Sequence, residues 1–236
     1  MGDGDLSGIS VDAVFERFPA SVRGAVVLRG TDPDPHHVRL TEAGVVEVGG
    51  TSRKVQALDL GQVTVDVAPR DRVMIPFEVP FSELDPGWYT VEAEVEVDGH
   101  ESVRGPREQL RRFCVAWPSG AVRRGSVEAG IRIKVPGSEG AAIDRLVCRV
   151  DSAAVHWRHA AAEEPGFREF GELRVTAARR RLHVIDDEYE WSTGSRTTTI
   201  YPVMRDDEAL TFELDRRLRP GKQLQRGPWS ATLRLP

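Results

Sequence analysis

Two carboxylates and two imidazoles meet within Asp32-Pro-Asp-Pro-His-His37, and these are the donor types of a mixed oxygen and nitrogen metal site. The spacing works against metal. Neighbouring residues of an extended chain point to opposite sides and the prolines suit a turn, so a solvated turn is expected here. Asp186-Asp-Glu-Tyr-Glu190 offers carboxylates to calcium or to a basic partner, but lacks the glycine-punctuated spacing of a calcium loop. A hairpin or edge strand guarded by like charge is the expectation. His156 and His159 flank Trp157-Arg158, with Glu163 and Glu164 close behind. Such side chains can move protons or hold metal, yet a strand end with His156 beside Trp157 accounts for them. Cys114 and Cys148 show no CxxC or paired Cys/His spacing, so both thiols are expected reduced and buried, without structural zinc.

Arginines cluster at Arg111-Arg112, Arg123-Arg124, Arg179-Arg180-Arg181 and Arg216-Arg217 with Arg219. A guanidinium fork matches phosphate or carboxylate bidentately, so clusters converging on one face would hold phosphate or an acidic peptide. Nucleic acid instead calls for a basic domain with interleaved aromatics, and this chain carries a net charge of -5. Tyr189 and Trp191 share one face of an expected strand. With Trp88, Trp157, Trp229, Tyr89 and Tyr201 they have the chemistry of a sugar-stacking platform, although aromatics in sandwiches mostly fill cores. Trp191, next to Ser192-Thr-Gly-Ser195, is the aromatic expected at the surface. The candidate binding residues are therefore Trp191, Tyr189, Arg179, Arg180 and Arg181. GxSxG, GxxxxGK[ST], HExxH and GxGxxG patterns are all missing, so no catalytic residue, metal or cofactor is assigned.

The elements that must position these groups are strands. Alternation with period two puts one set of side chains on a buried face and the other toward water. It is clearest from Trp88 to Val97, where Tyr89, Val91, Ala93, Val95 and Val97 oppose Glu92, Glu94 and Glu96. The same pattern marks Ile9 to Phe15, Val63 to Val67, Val73 to Val79, Val127 to Val135, Leu146 to Val150, Leu210 to Leu214 and Trp229 to Leu235. Asp85-Pro-Gly87, Asp98-Gly99, Pro136-Gly137, Pro165-Gly166 and Pro220-Gly221 supply the turns between runs. Arg158 to Glu164 is the best helical candidate, and Pro165-Gly166 stops it early. Asp71 to Trp88 returns in altered form as Asp206 to Trp229, each copy placing Phe-Glu-aliphatic six residues after its Asp. Self-similarity of this kind marks a repeated unit. At 236 residues the chain accommodates two modest domains. The expected fold is all-β, with two tandem antiparallel β-sandwiches, arrestin-like or immunoglobulin-like, at 6–118 and 125–236. Trp117-Pro-Ser-Gly-Ala-Val-Arg-Arg-Gly125 joins them.

Val22-Arg-Gly-Ala-Val-Val-Leu-Arg-Gly30, read as a strand pair after a first edge strand, and Met74-Ile-Pro-Phe-Glu-Val-Pro80 carry a resemblance. The order of features from Val22 to Val97 resembles the amino-terminal half of bacterial sporulation-control proteins with an arrestin fold. Generic immunoglobulin-like modules fit as well. The resemblance implies two sandwiches working as a scaffold or adaptor. No apolar run reaches the length of a membrane span, and the start of the chain lacks the basic and apolar regions of a secretory signal, so a cytoplasmic location is expected. Only Lys54, Lys134 and Lys222 are lysines, a bias expected of a GC-rich genome. The functional expectation is a non-enzymatic adaptor with a protein partner, binding through sandwich edges, loops or an inter-domain groove. The alternative is a carbohydrate-binding or carbohydrate-active β-sandwich protein.

Overall fold

The structure, a computed structural model, describes residues 8–49, 54–105, 111–159, 170–178, 180–190, 192–218 and 224–236. The chain divides into two compact units, Met1–Val115 and Ala116–Pro236, each built on its own hydrophobic core. Both are all-β, and their strand pairs are antiparallel. Among the described residues no helix is long and apolar enough to cross a membrane.

The strands of the first unit are β1 (Ile9–Arg17), β2 (Ser21–Gly30), β3 (His36–Glu47), β4 (Lys54–Ala57), β5 (Thr64–Val67), β6 (Arg72–Pro80), β7 (Gly87–Val97), β8 (Glu101–Gly105) and β9 (Phe113–Val115). They form a sheet of order β1-β2-β6 and a second of order β4-β3-β7-β8. The long strand β3 pairs along one edge with β5 and then β4, and β7 pairs with β9 and then β8. On β7 the alternation is realised side chain by side chain, with Tyr89, Val91, Ala93, Val95 and Val97 all buried. A one-residue slip would bring Glu92, Glu94 and Glu96 into the core, so register here is strongly specified. The turn after β7 uses positive φ at Asp98 and Gly99 (51° and 75°), the backbone that an Asp-Gly pair tolerates. The segment Val22–Gly30 is a single strand, β2, rather than a strand pair. Its Gly24 lies between Phe15 and Phe77 in register, and the two rings close over the gap at 6.5 Å. At the other end of β1, a Cβ on Gly105 would lie 2.2 Å from the Val11 carbonyl oxygen, so β8 runs against the backbone of β1.

The second unit contains β10 (Gly125–Ile133), β11 (Ala141–Cys148), β12 (Ala153–Arg158), β13 (Leu173–Ala177), β14 (Arg180–Leu182), β15 (Val184–Glu190), β16 (Ser195–Ile200), β17 (Ala209–Leu218) and β18 (Leu224–Arg234). Its sheets have the orders β10-β11-β12-β16-β15 and β14-β13-β17-β18. Ile143, Leu146, Trp157, Leu173, Leu182, Leu210 and Phe212 are fully buried among them. Trp117 belongs to this unit, edge-on to Tyr201 at 5.6 Å. Cys114 and Cys148 are buried thiols outside any disulfide, one in each unit, and burial raises the Cys148 thiol above its ordinary value. Arg158 ends β12. Residues 160–164 of the candidate helix, together with the Pro165-Gly166 and Pro220-Gly221 turns, lie outside the described residues.

The two self-similar segments occupy different places. Phe77 sits on β6, an edge strand, and the chain then crosses through a 3-10 turn at Phe81–Glu83 to the opposite sheet, where Trp88 stands in β7. Phe212 sits on β17, inside its sheet, and Trp229 lies on the adjacent strand β18, paired with Leu214. Both phenylalanines are buried, as inward positions of alternating strands require. The connection leaving each strand decides the topology: a crossover in one unit, a hairpin in the other.

Five sheet edges are blunted. β6 carries Pro76 and Pro80, which cannot donate to a new ladder, and β15 exposes Asp186, Glu188 and Glu190. β10 is broken by a register shift between Glu128 and Ile131, with Gly130 at φ 55°. β14 is only three residues long, and Gly227-Pro228 interrupts β18.

Candidate functional site

On β16, Arg196, Thr198 and Ile200 are buried, on one face of the strand. Trp157 of β12 and Tyr189 of β15 stand opposite Arg196 on its two neighbouring strands. Its guanidinium lies 4.6 Å from the Trp157 ring centre and 5.8 Å from that of Tyr189, a cation held between two π faces. Arg196 Nη2 pairs with Asp187, and Nη1 donates to the Gly171 carbonyl at 3.0 Å. Thr198 Oγ1 donates to Asp187 Oδ1 at 2.8 Å and accepts from Trp157 Nε1 at 2.9 Å. His159 completes the cluster, stacked on Tyr189 at 5.5 Å and edge-on to Phe170 at 5.2 Å. A charge with only 2% of its side chain exposed survives in this interior because Nη1 and Nη2 are matched and the rings cover its faces, although Nε has no hydrogen-bond partner among the described residues.

This cluster determines where the predicted residues stand. Tyr189 is half-buried within it, and Trp191 and Arg179 lie outside the described residues. Arg180 and Arg181 are exposed on β14, in the other sheet of the unit, and Arg180 pairs with Asp207 at 2.6 Å. Tyr189 and these arginines are therefore not brought to one surface. His156 and His159 also part company. His159 faces the cluster, whereas His156 sits half-buried near Thr197 at 3.2 Å, its pKa lowered by burial and then by Arg145 and Arg149. The acidic run splits by the same parity: Asp187 turns in to Arg196 while Asp186, Glu188 and Glu190 face water on the edge strand.

In the first unit His36 and His37 point apart. His37 Nδ1 meets Asp66 at 2.8 Å, while His36 bridges Asp32 through Nε2 at 2.8 Å and Asp98 through Nδ1 at 2.7 Å. A neutral imidazole donates only once, so the imidazolium is the form that satisfies both carboxylates. Hydrogen bonding to Asp98, then to Asp32, raises the His36 pKa, and Asp98 is lowered in return, chiefly by His36. Protonation thus favours the folded state. The His36 contribution is complete below its ordinary value of 6.5 and is lost as pH rises through the elevated folded value. The Asp98 contribution is present above its ordinary 3.8 and is lost as pH falls through the lowered one. Between these limits the bridge stabilises most. The urea midpoint of the chain should fall on going from about pH 5.5 to about pH 8.5, and His36→Gln should remove that part of the fall. An equal fall in the variant would exclude the bridge as its cause. No group of three or more His, Cys, Asp or Glu placed to hold a metal ion occurs among the described residues.

An open trough of about 500 Å3 lies on the second unit, where β13, β17 and β18 run side by side. Arg174, Glu213, Asp215, Arg216, Leu224, Arg226, Gly227 and Pro228 line it. Arg174 is tied to Asp215 at 2.9 Å and to Glu213 at 3.7 Å. Leu224 is 51% exposed at one end. Arg216 and Arg217 form one cluster in sequence, but strand parity separates them: Arg217 is buried and donates to the Gly137 carbonyl at 2.9 Å, while Arg216 faces the trough. Arg174 and Arg226 carry no signal in the sequence, since each stands alone there and only strand register assembles them. Arg196 is silent for a related reason. Ser195-Arg-Thr-Thr-Thr199 is polar on both faces, so alternation cannot mark its buried side.

No protein-family model matches the chain, and no curated protein matches it. Among solved structures it is similar to the conserved domain protein from Bacillus anthracis, a crystal structure, at 11% identity over 97% of this chain and 88% of that one, with a TM-score of 0.34.

Proposed function

We propose that this chain is a non-enzymatic, cytoplasmic adaptor that docks a protein partner on the trough of the second unit. The observation that carries this reading is the trough itself: a wide, open surface across three strands that alternates guanidinium and carboxylate groups and ends in an exposed leucine. Such a mixture suits a protein surface, where paired charges set register and an apolar side chain anchors. Within the second unit, the blunted edges of β10, β14, β15 and β18 favour a sheet face over a strand edge as the docking surface. Two buried thiols outside any disulfide suit a reducing compartment. The resemblance of Val22 to Val97 to arrestin-fold proteins adds to the adaptor reading.

A photo-activatable residue in place of Ser230, which pairs with Glu213 beside the trough, tests it. In extract of the source organism it should cross-link a protein that the same residue at Thr64, on β5 of the first unit, does not capture. Equal capture from both positions, or none from Ser230, would end the proposal.

A further inference from the structure

Arg216 and Arg226 stand directly opposite each other across β17 and β18. Like charges in that position destabilise a sheet. Arg23, Arg39, Arg104, Arg158, Arg174 and Arg180 each meet a carboxylate; Arg29 and Arg72 also face each other, across β2 and β6, but outside the trough that Arg216 and Arg226 line. Neither Arg216 nor Arg226 has a carboxylate partner among the described residues, although Glu213 and Asp215 line the same trough; both pair with Arg174, and Asp215 keeps Oδ1 without a hydrogen-bond partner. The backbone makes room for this arrangement. A register shift between Leu214 and Arg216 re-aims the side chains of β17. A Cβ on Gly171 would lie 2.7 Å from Arg216 Cγ, and one on Gly227 would lie 2.5 Å from the Leu214 carbonyl oxygen. Any larger residue at either position would displace the wall.

We propose that Arg216 and Arg226 together grip a carboxylate side chain of an extended, acidic partner polypeptide, with Leu224 packing on an apolar neighbour of that acid. This rests on the adaptor reading and names the chemistry of its partner. Two facing guanidinium groups present forks to one carboxylate, the bidentate geometry in which arginine binds most strongly. The occupant supplies the negative charge that the fold withholds, turning a repulsive pair into a neutralised one. Charge also selects the class of partner. The trough holds three arginines against two carboxylates, and the chain carries a net -5, so a polyphosphate backbone would meet Glu213 and Asp215 and a repelling overall field. A peptide can set a single acid on Arg216 and Arg226 and an apolar side chain on the exposed Leu224, which a uniformly charged backbone without apolar side chains cannot do.

The test is fluorescence anisotropy of the whole chain with a labelled peptide of alternating Glu and Val, its Gln-for-Glu counterpart, and inorganic phosphate and oligothymidylate as competitors. The Glu peptide should bind more tightly than the Gln peptide and weaken with salt. The double variant Arg216→Gln/Arg226→Gln should lose about tenfold or more in affinity for the Glu peptide only. Leu224→Ser should weaken both peptides. The double variant should unfold at the same or a higher urea concentration than wild type, because the repulsion is gone. Equal binding of the two peptides, an unaffected double variant, or a lowered urea midpoint would overturn the inference. Stronger competition by phosphate or oligothymidylate than by unlabelled Glu peptide would overturn the assignment to a polypeptide. The adaptor reading is judged separately by the Ser230 cross-link. Capture that persists in the double variant removes the arginine grip and leaves the adaptor, whereas tight Glu-peptide binding without any cross-linked protein leaves the grip and removes the adaptor.

Discussion

Arg196→Ala is expected to lower the stability of the second unit by about 3–5 kcal/mol, the cost of breaking a buried ion pair from one side. The substitution leaves Asp187 with Thr198 as its remaining partner, strands the Gly171 carbonyl, and opens a gap between Trp157 and Tyr189. Arg196→Lys should not restore the loss, because an ammonium cannot stack between two rings while bonding both a carboxylate and a carbonyl. A double change, Arg196→Met with Asp187→Leu, should cost less than either single change, since no buried charge then stands alone. Urea unfolding followed by far-ultraviolet circular dichroism measures the wild type, Arg196→Ala, Arg196→Lys, Arg196→Met, Asp187→Leu and the double variant. A loss below about 1 kcal/mol for Arg196→Ala would show that water or a neighbouring side chain readily replaces the guanidinium.

Phe212→Ala should cost about 3–5 kcal/mol, and Phe77→Ala should fall at or below the lower end of that range. Both side chains are buried aromatics with nearly the same local sequence, and the difference lies in their neighbours. Phe212 is 0% exposed on β17, flanked by Val175 on one side and Ala231 on the other, so the cavity it leaves is walled by two paired strands. Phe77 is 7% exposed on the edge strand β6, paired only with β2, where Gly24 opposes it. An edge strand can shift toward the vacated space, and partial collapse reduces the cavity term. Hydrogen exchange at the amides of β17 and β6 reads each loss locally. Equal losses would mean that strand position does not govern relaxation in these units.

Much of the fold is legible in the sequence because the physics of a half-buried strand is local. The alternation of Tyr89 to Val97 marks its buried face without reference to any partner, and the Asp98-Gly99 pair marks the turn at its end. The splitting of Asp186 to Glu190 into one inward and three outward acids obeys the same parity, though which acid turns inward needs the position of Arg196. The apparent duplication shows the opposite limit. Phe-Glu-aliphatic specifies an inward phenylalanine on a strand, and says nothing of whether the next strand crosses the core or returns alongside.

The candidate site is far less visible. Arg174, Arg216 and Arg226 come from three strands; only Arg216 falls in a cluster along the chain, and nothing there separates it from Arg217 and Arg219. The sequence alone determined an all-β chain, the faces its strands bury and the turns that end them, since each is settled by neighbours one or two residues away. Tertiary structure alone decided which strands lie side by side. Only that pairing set Arg216 opposite Arg226 and enclosed Arg196 between Trp157 and Tyr189, because a side chain's electrostatic surroundings come from residues remote along the chain.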